Sequence, residues 1–121
     1  MLKWMLAAAA LVAIPAVASA QDADAGKAVF GKCRACHAVG EGAKNMVGPQ
    51  LNGIVGRKAG AVEGFNYSDA MKNSGKTWDD ATLDAYLADP KGYIPGNKMV
   101  FVGLKDETDR KNLIAFLKAQ K

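Results

Sequence analysis

An all-α fold is the prediction for this chain, and it rests on three observations. Apolar residues recur at helical spacing in separate segments, and nothing alternates with a period of two as a strand does. The stretch between the first two helical segments is dominated by glycine. Three main helices, a few short ones and long loops account for this pattern. The 121 residues hold one small domain behind an N-terminal segment that reads as a leader.

That leader comes first. Lys3 supplies a positive start, Trp4 to Val17 is an apolar run broken only by Pro15, and Ala18-Ser19-Ala20 is a small-residue cleavage pattern. The run is short against the roughly 20 apolar residues that a bilayer span needs. A secretory signal over residues 1–20, cleaved after Ala20, is therefore expected rather than a retained membrane anchor. Gln21 then begins the mature domain, residues 21–121.

Asp22 or Asp24 can cap a first helix running to about Arg34, with Gly26, Val29 and Phe30 on one face. From Ala38 to Phe65 the glycines at 40, 42, 48, 53, 56, 60 and 64 read as turns. So long a loop is unusual in a small domain. It makes sense if it wraps a flat group that the backbone must approach closely. Ser68 starts a short helix ending near Asn73. Thr77-Trp78-Asp79-Asp80 reads as a capping box for a second main helix, with Leu83, Tyr86 and Leu87 on its apolar side and Pro90 ending it after Asp89. Tyr93 to Lys98 reads as rigid and non-helical. Asp106 or Thr108 caps a terminal helix whose buried stripe is Leu113, Ile114, Phe116 and Leu117.

The chemistry is concentrated in Cys33-Arg34-Ala35-Cys36-His37, which contains both cysteines and the single histidine of the chain. Two thiols about one helical turn apart can add to the two vinyl groups of a porphyrin, and the following imidazole can turn onto the iron. The spacing reads as a c-type haem attachment site. A thioredoxin-like motif also places two cysteines this way, but it expects a strand-helix-strand context and does not need the histidine. Structural zinc wants four ligands, and these residues offer three. Export agrees with haem addition outside the cytoplasm. A chain this short borrows much of its apolar interior from such a group, so the haem-free polypeptide is expected to be poorly folded.

Iron held by His37 has one more position to fill, and its occupant decides between carrier and catalyst. Met46, Met71 and Met99 are the candidates in the mature chain. Met46 is close behind His37 on a short return loop and is badly placed for the opposite face of the ring. Met71 lies on a helix, where packing is the ordinary role. Met99 follows the rigid Tyr93 to Lys98 stretch, which suits presentation of a side chain across a ring. The net charge of +4 comes without aromatic interleaving, so it argues only weakly for nucleic acid and better for an acidic protein partner.

Dispersed motifs in a fixed order then identify a resemblance. Besides the Cys33 to His37 motif they are Gly26 and Phe30, Gly48-Pro49-Gln50-Leu51, Gly56-Arg57-Lys58, Tyr67, Trp78 and Tyr86. Tyr93-Ile94-Pro95-Gly96-Asn97-Lys98-Met99, Phe101 and Leu113-Ile114-Ala115-Phe116-Leu117 complete the series. From about Asp24 to Gln120 the chain resembles class I c-type cytochromes, the mitochondrial carrier and its bacterial relatives of the cytochrome c2 group. The resemblance implies the small cytochrome c fold, with helices and loops wrapped around one covalent haem c per chain, attached through Cys33 and Cys36.

It also implies residue roles. His37 and Met99 are the axial ligands, and the Pro49 carbonyl accepts from the other nitrogen of His37. Arg57, Tyr67 and Trp78 donate to a buried propionate, and Tyr86 approaches the Met99 sulfur. Gly26 and Phe30 meet Leu113 and Phe116 where the terminal helices cross. Two positions depart from the family pattern. Asn97 replaces the usual threonine beside the second propionate, where an amide can still donate. Met71 replaces an asparagine common near a buried water at the haem edge, which is expected to change local hydration and potential.

The implied function is a soluble periplasmic one-electron carrier, not an enzyme. A monomer without nucleic acid or a permanent membrane anchor is expected. Its donor is a membrane complex such as a quinol–cytochrome c reductase, and its acceptor is an oxidase or a photosynthetic reaction centre. Lys27, Lys32, Lys91, Lys98 and Lys105 match the positions that ring the haem edge and dock such partners. A haem enzyme or gas sensor with Met99 detached is the competing reading, and a haem-free thiol oxidoreductase is a third.

Overall fold

The computed structural model describes residues 22–121. The expected signal segment, residues 1–20, and Gln21 as the first mature residue lie outside them. Five helices follow in order: α1 (Ala23–Phe30), α2 (Asp69–Lys72), α3 (Asp80–Ala88), α4 (Pro90–Tyr93) and α5 (Glu107–Lys118). The described residues contain no strand, only one isolated antiparallel bridge between Lys58 and Thr77. The all-α expectation is met.

Each helix begins on a side-chain cap. The Asp22 carboxylate accepts from the N–H groups of Asp24 and Ala25, Ser68 from Met71, and Asp106 from Asp109. The capping box of α3 is Asp79 with Thr82, not the Thr77–Asp80 frame read from sequence. Asp79 Oδ1 accepts from the Thr82 amide at 2.8 Å, and the Thr82 hydroxyl accepts from the Asp79 amide at 2.8 Å. Asp89 ends α3 and also caps α4, with Pro90 in the first helical position, where a missing N–H costs nothing. The sequence reading stopped at Pro90 and missed this extra turn.

The first helix is shorter than expected. It closes at Phe30, and the backbone then tightens into successive bonds from Lys32 to Val29 and from Cys33 to Phe30. The cysteine motif therefore lies on a run of turns beyond the helix.

The principal helix contact is α1 against α5. An added Cβ on Gly26 would sit 1.9 Å from the Asn112 carbonyl oxygen and 2.8 Å from Phe116 Cβ, so only glycine permits this crossing. Phe30, 1% exposed, packs its ring 5.2 Å from that of Phe116, beside the 2%-exposed Leu113. Each such side chain contributes roughly 1.5–3 kcal/mol by leaving water. Below the crossing, Trp78, Leu83, Tyr86, Leu87 and Ile94 continue the core.

The long loop is tied down at intervals. Gly53 donates to Gln120 O, Gly56 to Trp78 O, Trp78 to Arg57 O and Ala59 to Lys76 O. All the loop glycines read as turns have positive φ except Gly48. On the other side, Arg110 clamps α3, α5 and the chain between them. Its guanidinium meets Asp84 at 2.8 Å and donates to the carbonyls of Leu104 and Lys105. Leu104 in turn donates to Leu87 O at 2.7 Å. The segment carrying Met99 is thereby fixed at both ends, by α4 before it and by Leu104 after it.

Candidate functional site

The turns after α1 set the geometry of the motif. Cys36 donates its amide to Cys33 O at 3.1 Å and His37 donates to the same carbonyl at 2.9 Å. One helical turn thus separates the two partly buried thiols and carries His37 just past the second. Burial pushes the Cys33 thiol up, Cys36 adds to this and Lys32 opposes it. A raised thiol is a poor thiolate, the reverse of what a thiol oxidoreductase needs.

His37 is held from two directions. Its Nδ1 lies 2.7 Å from the Pro49 carbonyl, which can only accept, so Nδ1 carries the proton. The face of the ring lies against Gly48, where an added Cβ would come within 2.3 Å of Cε1 and 2.8 Å of Nε2. This contact explains the one loop glycine without a positive φ. Burial holds the imidazole pKa below its ordinary value, and the Pro49 bond only partly offsets that. A neutral ring with Nδ1 protonated leaves the Nε2 lone pair available to a metal.

Met99 is partly buried and packs against the core. The Tyr86 hydroxyl donates to its sulfur at 3.7 Å, as the resemblance implied. Burial pushes the Tyr86 pKa to about 12, so the phenol keeps its proton and remains a donor. Met46 is 48% exposed, and Met71 packs against the core from α2.

The expected propionate donors divide. Trp78 is buried, yet its indole N–H meets no acceptor among the described residues and is not sealed from solvent. The Tyr67 hydroxyl accepts from the Val62 amide at 3.0 Å, so its own proton is free to be donated. Burial raises the Tyr67 pKa, against smaller opposing effects of Val62 and Arg57. Arg57 donates to the carbonyls of Gln50 and Asn52 while keeping other N–H groups free. It lines an open cavity of about 600 Å³ with Asn45, Gln50, Asn52 and Glu63.

Asn97 faces inward. Both N–H groups of its amide donate inside the chain, to Pro90 O and Ile94 O at 2.8 Å each. Its Oδ1 accepts from the Met99 amide at 2.9 Å. Sequence reasoning missed this role, although an asparagine accepting from the N–H two residues on is an ordinary Asx turn.

The five lysines also divide. Lys27, Lys32 and Lys98 are exposed, without an ion-pair partner among the described residues. Lys91 instead donates to Asn97 O at 2.8 Å and Lys105 to Ala88 O at 2.7 Å. Among the described residues, no helix is long and apolar enough to cross a membrane.

A flat iron porphyrin fits these residues. Two thiols stand one turn apart, a neutral imidazole has a free Nε2, and a thioether is anchored by a phenol. Trp78 and Tyr67 each keep a proton to donate. Around them Leu51, Val55, Met71, Tyr93 and Phe101 are only partly buried, leaving apolar surface that such a group would cover.

Comparison with known proteins agrees. The family model described as Cytochrome c matches residues 23–121. Cytochrome c2 of Rhodomicrobium vannielii is 56% identical over 119 residues, covering 98% of this chain and 95% of that protein. Cytochrome c-550 of Bradyrhizobium diazoefficiens is 60% identical over 95 residues, covering 78% of this chain and 70% of that protein. Among solved structures, cytochrome cH from Methylobacterium extorquens superposes with a TM-score of 0.78 at 50% identity, covering 82% of this chain and 99% of that one.

Proposed function

The chain belongs to the cytochrome c family, and from that premise we propose that it is a periplasmic one-electron shuttle whose haem iron is held by His37 and Met99. Haem c is bound covalently through Cys33 and Cys36, and the protein is an electron carrier rather than an enzyme. The bound haem supplies the one-electron couple, iron passing between ferric and ferrous states with no bond made or broken.

The residues around it have three tasks. Pro49 and Gly48 fix the orientation of His37, and burial keeps its ring neutral. Tyr86 holds Met99, a soft neutral ligand that favours reduced iron. Two neutral ligands held in place by the chain would limit rearrangement on electron transfer and so keep its barrier small. Trp78 and Tyr67, with the remaining N–H groups of Arg57, donate to a propionate, which needs such partners to remain ionised when buried.

The observation that carries this reading is the Tyr86–Met99 bond of 3.7 Å. Neither Met46 nor Met71 has a hydrogen bond to its sulfur among the described residues. Absorption spectroscopy of the ferric holoprotein is the test. A low-spin spectrum with the methionine–iron charge-transfer band is expected, lost in Met99→Ala and kept in Met46→Leu and Met71→Leu. A high-spin spectrum with rapid carbon monoxide uptake would reject it.

Docking follows from charge. Lys27, Lys32 and Lys98 project freely and attract an acidic face, with Lys91 and Lys105 adding charge from tethered positions. The donor is a membrane redox complex such as a quinol–cytochrome c reductase, and the acceptor an oxidase or a photosynthetic reaction centre. The leader pattern of residues 1–20 supports the periplasm as the compartment.

A further inference from the structure

We infer that Asn97 is the positioning residue that holds Met99 in place and sets how readily an external ligand displaces it. The inference rests on the assignment of Met99 as an iron ligand.

Asn97 is 4% exposed, and every polar group it has is engaged. Its amide N–H groups reach Pro90 O and Ile94 O, and its Oδ1 accepts from the Met99 N–H. Its own backbone N–H donates to Ile94 O at 3.2 Å, and its carbonyl accepts from Lys91 Nζ at 2.8 Å. Pro90 is among the most buried side chains of the protein. The asparagine therefore fastens the Met99 backbone to a turn that is itself embedded in the core.

A one-turn helix has carbonyls at its end that lack partners within the helix. At the end of α4 the Asn97 amide adds a second donor to Pro90 O, which also accepts from the Ile94 N–H, and to the carbonyl of the C-cap residue Ile94, while its oxygen closes an Asx turn onto Met99. Opening of the loop that carries Met99 breaks the bond to its backbone N–H. That leaves a buried amide oxygen unpaired, which costs more than the bond itself contributed. The burial of Asn97 thus resists displacement of the ligand. A threonine at this position keeps a short acceptor for the Met99 N–H but has one proton for two carbonyls. A leucine keeps the volume and loses all three bonds.

Imidazole binding to the ferric holoprotein reads out the opening of the Met99 loop, and amide hydrogen exchange at Met99 reads out its anchor. Asn97→Leu is expected to bind imidazole about tenfold faster than the unmodified protein, with Asn97→Thr between them. Exchange at the Met99 amide rises in the same order. Asn112→Leu is the control: that asparagine is also buried, and accepts from Asp22 across the α1–α5 contact far from Met99 in sequence. It is expected to lower global stability without speeding imidazole uptake. Equal uptake in Asn97→Leu and Asn112→Leu, or no acceleration in either, overturns the inference. If Asn97→Leu does not fold, Asn97→Thr carries the same comparison. Absence of the methionine band from the unmodified protein overturns the Met99 assignment and this inference with it. A band present with indifferent variants overturns the inference alone.

Discussion

The hydroxyl of Tyr86 donates to the sulfur of Met99 across 3.7 Å, joining the last turn of α3 to the loop after α4. Tyr86 is itself fixed, with its ring 4.9 Å from that of Trp78 and 6.4 Å from that of Tyr93. A rigid donor on a thioether withdraws electron density from it. Tyr86→Phe keeps the ring and removes the donor, leaving a more electron-rich sulfur that favours ferric iron. The midpoint potential is expected to fall by roughly 20–40 mV, the equivalent of a weak hydrogen bond. Redox titration of the holoprotein checks this, and a rise in potential would contradict it.

Gly48 admits no side chain while His37 stays where it is. Gly48→Ala puts a methyl group within 2.3 Å of the imidazole, so either the ring or the loop must move. A loss of about 1–3 kcal/mol is expected in denaturant unfolding of the holoprotein. The same substitution at Gly53, where an added Cβ meets nothing within 4 Å, strains only a positive φ and leaves the His37 environment unaltered. Spectral change at the iron in the first variant and not in the second is the distinguishing result.

Asp79 contributes a pH-dependent share of the stability of α3. The Thr82 amide and then the Thr82 hydroxyl hold its carboxyl below the ordinary value. A depressed folded-state pKa means that the contribution is present above the unfolded-state value and lost as pH falls through the folded one. Asp79→Ala is therefore expected to unfold more easily at neutral pH, with the difference disappearing in acid. Thermal melts of both proteins across that range provide the check; a difference that persists unchanged at low pH would refute it.

The free lysines and the tethered ones should behave differently. Lys27→Gln, Lys32→Gln and Lys98→Gln remove charge alone, so each slows reaction with an acidic partner several-fold at low ionic strength. Salt screens the attraction and closes the gap. Lys91→Gln also removes the bond to Asn97 O, and so is expected to weaken the methionine charge-transfer band as well. Stopped-flow rates with a membrane oxidase, over a range of salt, measure the first effect and absorption spectra the second. Rates independent of ionic strength would dismiss the steering.

Met71 packs its side chain against the core from the short helix α2. Met71→Asn replaces apolar contact with a group that recruits water, stabilising the more charged ferric state. A measurably lower midpoint potential is expected, and an unchanged titration would reject the coupling.

Much of the fold was legible because its signals are local. The Asp22, Ser68 and Asp106 caps act on amides within a few residues, and the stripe Leu113, Ile114, Phe116, Leu117 repeats within two helical turns. The capping box was read in the wrong frame because Thr77 and Asp79 both offer suitable oxygens. Thr82, three residues beyond Asp79, proved the reciprocal partner. Pro90 was read only as a stop, although a proline in the first position is as good a start.

By itself, then, the sequence determined what chemistry the chain can perform. Two cysteines and a histidine within five residues specify an attachment site, and the three methionines beyond residue 20 bound the choice of a second ligand. Only the tertiary structure decided which side chains serve it. Asn97 turns its amide inward to Pro90 and Ile94, and Lys91 and Lys105 lie back on the carbonyls of Asn97 and Ala88. The reason is physical. A side chain's type states how many hydrogen bonds it needs, but the packing of α4 and its loop decides which donors and acceptors come within 3 Å.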